Sequence, residues 1–172
     1  DDYGETGLQV AYWGIAAHFG EAISQNSKGQ RLAAVTDHGN DINRGNTRGY
    51  TTRAALYPHS DMCQMTGLLC IQPAVEGGES QVVSSLSIYN HIRTTKPEHL
   101  ETLFRGFHHD LRGEGPGATV DEVTDHRIPV FSKCEGWLSC GFNPKICISG
   151  EAKRGTPVSA EEIAALEYVS EV

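Results

Sequence analysis

At 172 residues, with 38% apolar residues and a formal net charge of −8, the chain fits one domain large enough to bury a core without covalent staples. No run approaches the roughly 18 uninterrupted apolar residues of a membrane span, and no basic-then-apolar leader opens the chain. The acidic balance disfavours a nucleic-acid backbone as partner, so a cytoplasmic protein with neither nucleic-acid nor membrane partners is expected.

The first predicted element is an amphipathic helix over Leu8–Phe19, with apolar residues at Leu8, Ala11, Tyr12, Ile15, Ala16 and Phe19, Thr6 as N-cap and Gly20 as the stop. Arg31–Thr36 reads as a short strand. The polar, glycine-rich connection Asp37–Thr52 that follows is long enough to suggest that it covers a site. Ala54–Asp61, Gly67–Ala74 and Ser80–Ser84 read as three further strands, with Gly77-Gly78 turning the chain between the last two. Ser84 or Ser85 caps a helix through Ile92, and Pro97 suits the first turn of the next, which continues over His99–Phe104. Gly106–Asp110 reads as a strand and Arg112–Asp125 as a loop. Ile128–Ser132, Gly136–Phe142 and Lys145–Ser149 read as three more short strands. Ser159-Ala160-Glu161-Glu162 is a capping box opening a helix with Ile163, Leu166 and Val169 on one face. That helix has a start and no stop signal, and the chain opens Asp1-Asp2 without a methionine; both ends are expected to have been cut from a longer chain. Five cysteines (Cys63, Cys70, Cys134, Cys140 and Cys147) with no C-x-x-C pair read as reduced, buried thiols rather than a disulfide framework or a zinc site.

Roughly seven short strands framed by helices fit a mainly β, α+β domain with a jelly-roll or double-stranded β-helix core, just short of the eight strands such a core uses. The richest chemical signal is His59-Ser60-Asp61. On an extended strand residues i and i+2 share a face, so an imidazole and a carboxylate arrive side by side with the Ser60 hydroxyl turned away. Those are two ligands of the 2-His-1-carboxylate triad of non-haem Fe(II) oxygenases, which needs one more histidine.

In order, Thr51-Thr52-Arg53, His59-Ser60-Asp61, Thr66-Gly67-Leu68-Leu69-Cys70, Pro73-Ala74, Gly77-Gly78-Glu79-Ser80 and Ile128-Pro129-Val130-Phe131 resemble the core of the TauD/TfdA (taurine dioxygenase-like) family of Fe(II)/2-oxoglutarate-dependent dioxygenases. The likeness covers nearly the whole chain as a single domain, 1–172. The resemblance implies that His59 and Asp61 are catalytic iron ligands and that Ser80, with Gly77 and Gly78 allowing a tight turn, helps bind 2-oxoglutarate. It implies oxidation, in the first instance hydroxylation, of a C–H bond of a small organic substrate, with dioxygen consumed and 2-oxoglutarate decarboxylated to succinate. A carboxylate at position 61 argues for a hydroxylase-type rather than a halogenase-type site. The family's distal His and its 2-oxoglutarate-binding Arg are not in this sequence, so the 172 residues alone are expected to be inactive, with unpaired strand edges that allow a homo-oligomer. His108, His109 and His126 are the alternatives weighed for the distal ligand; His18, His91 and His99 read as structural, and His38 as a residue of the pocket mouth. Asn43, Arg44, Asn46, Arg48 and Arg53 are the candidate substrate contacts. The alternative reading is a non-catalytic or differently metallated, cupin-like β-helix protein that keeps the fold.

Overall fold

The computed structural model describes residues 4–172 apart from 27, 43, 45, 46 and 118. The chain forms two compact units: Asp1–Ala54 with Cys63–Gly78, and Ala55–Met62 with Glu79–Val172.

The first unit carries helix α1, Gly4–Ala16, whose residues all remain at least partly exposed. The predicted helix is present, but it starts four residues early and gives way to a turn before Phe19. Tyr12 packs across Gly67, where an added Cβ would lie 2.5 Å from the tyrosine oxygen. The stretch predicted as a strand over 31–36 is irregular. Its end is held by Thr36 N–H donating to the Tyr50 carbonyl and His38 N–H to that of Thr51, beside a single 3₁₀ turn at Gly49–Thr51.

The second unit holds the core. Helix α2 (Ser85–Thr95) starts where expected, with Ser84 accepting from the Ser87 N–H. Helix α3 (His99–Arg105) ends at Gly106, which has φ +71° and lies so close to Ile128 and Pro129 that no Cβ fits. Strands β1 (Phe131–Cys134) and β2 (Trp137–Cys140) form an antiparallel hairpin pairing Phe131 with Cys140 and Cys134 with Trp137. Glu135 and Gly136 make its two-residue turn at φ +50° and +86°, the positive-φ pair that matches strand twist. Helix α5 (Ala160–Glu171) closes the chain with both halves of the capping box formed. Ile92, Leu103, Phe107, Val130, Phe131 and Leu166 are fully buried among these elements. Tyr89 meets Phe131 edge-on at 5.5 Å.

Four further strand expectations are corrected. Residues 54–61, 67–74 and 80–84 lie in irregular backbone, and Tyr57, Leu68, Val75 and Val82 are exposed. A strand exists only by pairing its amides, and these runs pair with nothing in a ladder among the described residues. Lys145–Ser149 belongs instead to helix α4, Pro144–Lys153, which buries Ile146, Cys147, Gly150 and Glu151 along one side. Asn143 accepts from the Ile146 N–H as N-cap and Pro144 follows at the first position, a helix start that outweighs the β-branched character of the run. The predicted strand at 106–110 survives as two isolated bridges, Phe107 with Ile128 and Asp110 with Val123. Helices and a hairpin are both present, but helix is more extensive than strand among the described residues, so the mainly β expectation is corrected there. No described helix is long and apolar enough to cross a membrane.

Two buried carboxylates bind α4 to the core. Glu151 accepts from His108 N–H (2.9 Å), His108 Nδ1 (3.1 Å) and Thr156 Oγ1 (3.0 Å), with Arg127 Nη2 at 3.4 Å. Asp110 accepts from Ser149 Oγ at 2.6 Å and pairs with Lys153 Nζ at 2.7 Å. Burial alone would raise both carboxyls, but these donors outweigh it and hold each below its ordinary value. His109 is held below its ordinary value by burial.

The backbone of residues 108–110 crosses α4 at Gly150. A Cβ there would collide with the His108 carbonyl and come within 2.7 Å of the Asp110 nitrogen, so Gly150→Ala should lower unfolding free energy by about 3 kcal/mol in urea titration; a loss below about 1 kcal/mol would show that the contact yields. The three titrating groups also set an acid profile. His109 binds a proton more readily unfolded, so stability falls as pH drops below 6.5; Glu151 and Asp110 contribute above 4.5 and 3.8 and that contribution is lost below those values. His109→Gln should remove only the upper part of this slope in melts recorded between pH 7.5 and pH 3.

Candidate metal and cosubstrate site

The His59-Ser60-Asp61 triplet lies in the second unit, within the irregular segment 55–62. His59 Nδ1 is 2.7 Å from the carbonyl oxygen of Tyr57. A carbonyl only accepts, so a proton sits on Nδ1, which leaves Nε2 as the ring nitrogen able to offer a lone pair to a metal. Nε2 in turn lies 3.8 Å from Asp61 Oδ1. Both side chains stay accessible, at 33% and 52% exposure.

A neutral imidazole nitrogen whose other nitrogen is fixed by a backbone carbonyl, next to a carboxylate oxygen, is the donor set a divalent first-row metal accepts. Their separation is less than twice a metal–ligand bond of about 2.1 Å, so one ion can reach both. Two donors are one short of the triad. Among the described residues no third His, Cys, Asp or Glu joins them.

Ser60 is the half-buried residue of the segment Ala55–Asp61. Its N–H donates to the Phe142 carbonyl at 2.7 Å, and the Phe142 N–H donates back to its hydroxyl oxygen at 2.7 Å. Just beyond, Met62 lies against Gly141, 3.5 Å from where a Cβ would stand. Met62 also lines a cleft of about 270 Å³ bordered by His109, Asp110, Leu111, Ile128 and Ile146.

The other candidates are distributed as follows. Gly77 and Gly78 have φ +71° and +79°, the positive values expected of a tight turn, and belong to the first unit; Ser80 belongs to the second and is exposed. His108 is engaged with Glu151, and His109 is buried with Nε2 3.5 Å from Cys147 Sγ. His91 and His99 flank Tyr168, consistent with structural roles. In the first unit Arg53 pairs with Asp37 at 2.8 Å, and the Gly39 N–H together with Arg53 holds that carboxyl below its ordinary value. Arg48 lies 5.8 Å from the Tyr50 ring centre, and Arg44 N–H donates to Asp41. His38 is exposed in the same unit, while Asn43 and Asn46 lie outside the described residues. Sequence reasoning missed Glu151 and the Ser60–Phe142 pairing; a lone Glu in an apolar helix face was the available signal for the first, and no local signal marks the second.

All five cysteines are free thiols, as expected, but only Cys147 is buried; Cys70 and Cys134 are exposed. Burial pushes the Cys147 thiol up to about 12 and lowers His109, and both shifts oppose the thiolate–imidazolium pair that cysteine nucleophiles use.

The family profile described as "Taurine catabolism dioxygenase TauD, TfdA family" matches residues 3–165, and the chain belongs to this family of iron- and 2-oxoglutarate-dependent dioxygenases. It is 35% identical over 166 residues to FR-33289 synthase of Streptomyces rubellomurinus, covering 95% of this chain and 48% of that protein. It is 25% identical over 174 residues to the taurine hydroxylase-like protein SAT17 of Stachybotrys chartarum, covering 95% and 43%. The chain thus spans about half the length of the curated relatives it matches.

Iodoacetamide at pH 8 should label Cys70 and Cys134 rapidly and Cys147 only after unfolding, read by peptide mass spectrometry; fast modification of native Cys147 would contradict its burial and raised thiol.

Proposed function

We propose that this chain carries the imidazole–carboxylate pair of an Fe(II) site in a 2-oxoglutarate-dependent dioxygenase that oxidises, in the first instance hydroxylates, a C–H bond of a small organic substrate. The observation that carries this reading is the convergence of His59 Nε2 and Asp61 Oδ1 at 3.8 Å with the imidazole tautomer set by the Tyr57 carbonyl. Family membership over residues 3–165 supplies the class of chemistry.

His59 and Asp61 are the metal ligands in this account, and Ser80 with Gly77 and Gly78 contributes to binding 2-oxoglutarate. The positive φ of the two glycines supports a close backbone approach at that point. Iron with 2-oxoglutarate and dioxygen supplies the oxidising chemistry when bound. The protein's part is to present one nitrogen and one oxygen donor in a set orientation and to bind and orient the two organic molecules. A double-stranded β-helix core is part of the same proposal, on the strength of family membership.

In the full-length protein, succinate release from 2-oxoglutarate under air should require added Fe(II), and His59→Ala and Asp61→Ala should each reduce it at least about 100-fold without shifting the melting of the metal-free protein. Unchanged succinate release in either variant would overturn the assignment.

A further inference from the structure

We infer that Ser60 is the positioning residue of the metal pair: its hydroxyl and amide lock the segment between the two ligands to the backbone of Phe142. This inference rests on the reading of His59 and Asp61 as ligands. Three observations lead to it.

The first is connectivity. Residues 55–62 belong to no helix or ladder, so a pair of side chains two residues apart on such a segment would ordinarily sample many relative orientations. Ser60 removes that freedom with two reciprocal bonds of 2.7 Å across 82 residues of sequence. The serine oxygen accepts from Phe142 while the Phe142 carbonyl accepts from the serine amide, a closed ring that sets the position and direction of the segment together.

The second is what lies behind the lock. Phe142 is buried at 4% exposure within the core cluster, and the next residue, Asn143, caps α4. Its peptide is therefore held from both sides, by β2 through Gly141, whose N–H donates to Val130, and by the helix start. A segment tied to that peptide inherits the rigidity of the core. Met62 against Gly141 adds a contact from the same side.

The third is the division of faces. The hydroxyl at position 60 is half-buried and directed to the core backbone, while the side chains at 59 and 61 remain accessible and converge at 3.8 Å. The backbone leaves the two ligand side chains on the accessible side and turns the intervening residue toward the core, where an anchor is of most use. Groups that orient metal ligands without touching the metal typically change metal affinity by about 10–100-fold when removed.

The test compares two nearly isosteric replacements, Ser60→Thr, which keeps the hydroxyl, and Ser60→Val, which does not. Fe(II) affinity is measured by anaerobic titration of the full-length protein, with melting of the metal-free variants recorded alongside. Ser60→Thr should bind within about threefold of the parent, and Ser60→Val about 10–100-fold more weakly. Equal affinity of Ser60→Val and parent, with binding lost in His59→Ala, would overturn the role of Ser60 and leave the ligand assignment standing. Equal loss in Thr and Val variants would overturn it too, because volume rather than the hydroxyl would then be the cause. Failure of the parent protein to bind Fe(II) would sink both readings. A readout without substitution guards against misfolding of the valine variant. Saturating Fe(II) should slow amide exchange at Phe142, since two events favouring one arrangement stabilise each other; unchanged exchange would contradict the coupling.

Discussion

The reciprocal pair of hydrogen bonds between Ser60 and Phe142 is the tie on which the candidate site depends. The His59–Asp61 pair lies in a segment without regular structure, and the buried core of the second unit lies in its helices and hairpin. Local bonding explains the tautomer of His59, through the Tyr57 carbonyl two residues away. It does not explain why the triplet stays in one place. A long-range attachment to a peptide that is itself packed and capped does.

The rigidity passed to Phe142 has an identifiable source. Helix α4 is drawn onto the chain at 108–110 by a glycine that permits backbone contact and by two buried carboxylates whose donors come from several segments. Buried ions of this kind add little net stability over an apolar equivalent, but they are costly to leave unpaired, so they specify which segments must meet. Glu151 gathers His108, Arg127 and Thr156; Asp110 gathers Ser149 and Lys153. The result fixes α4, and with it Asn143 and Phe142, relative to the hairpin. The Cys147–His109 contact beside them is a packed neutral pair rather than a reactive one.

The parts of the structure legible in the sequence are those whose signals are local. Ser84 and the Ser159–Glu162 capping box mark helix starts, whereas Gly136, read as the first residue of a strand, belongs with Glu135 to the hairpin turn. Elements that need a partner were legible only as propensities. The runs at 54–61, 67–74 and 80–84 have strand composition, yet pairing is a property of two segments and no ladder forms on them among the described residues. Lys145–Ser149 was misread because a short apolar run has no periodicity to separate strand from helix; the Asn143-Pro144 start carried the answer. The partner of Ser60, 82 residues on, leaves no local trace.

Where Fe(II) binds decides the role of His59 and Asp61. Anomalous diffraction at the iron edge from crystals of the anaerobic, Fe(II)-loaded full-length protein measures this directly. The predicted result is one strong peak within about 2.2 Å of both His59 Nε2 and an Asp61 carboxylate oxygen. A peak bonded to neither residue, or to only one of them, would contradict it.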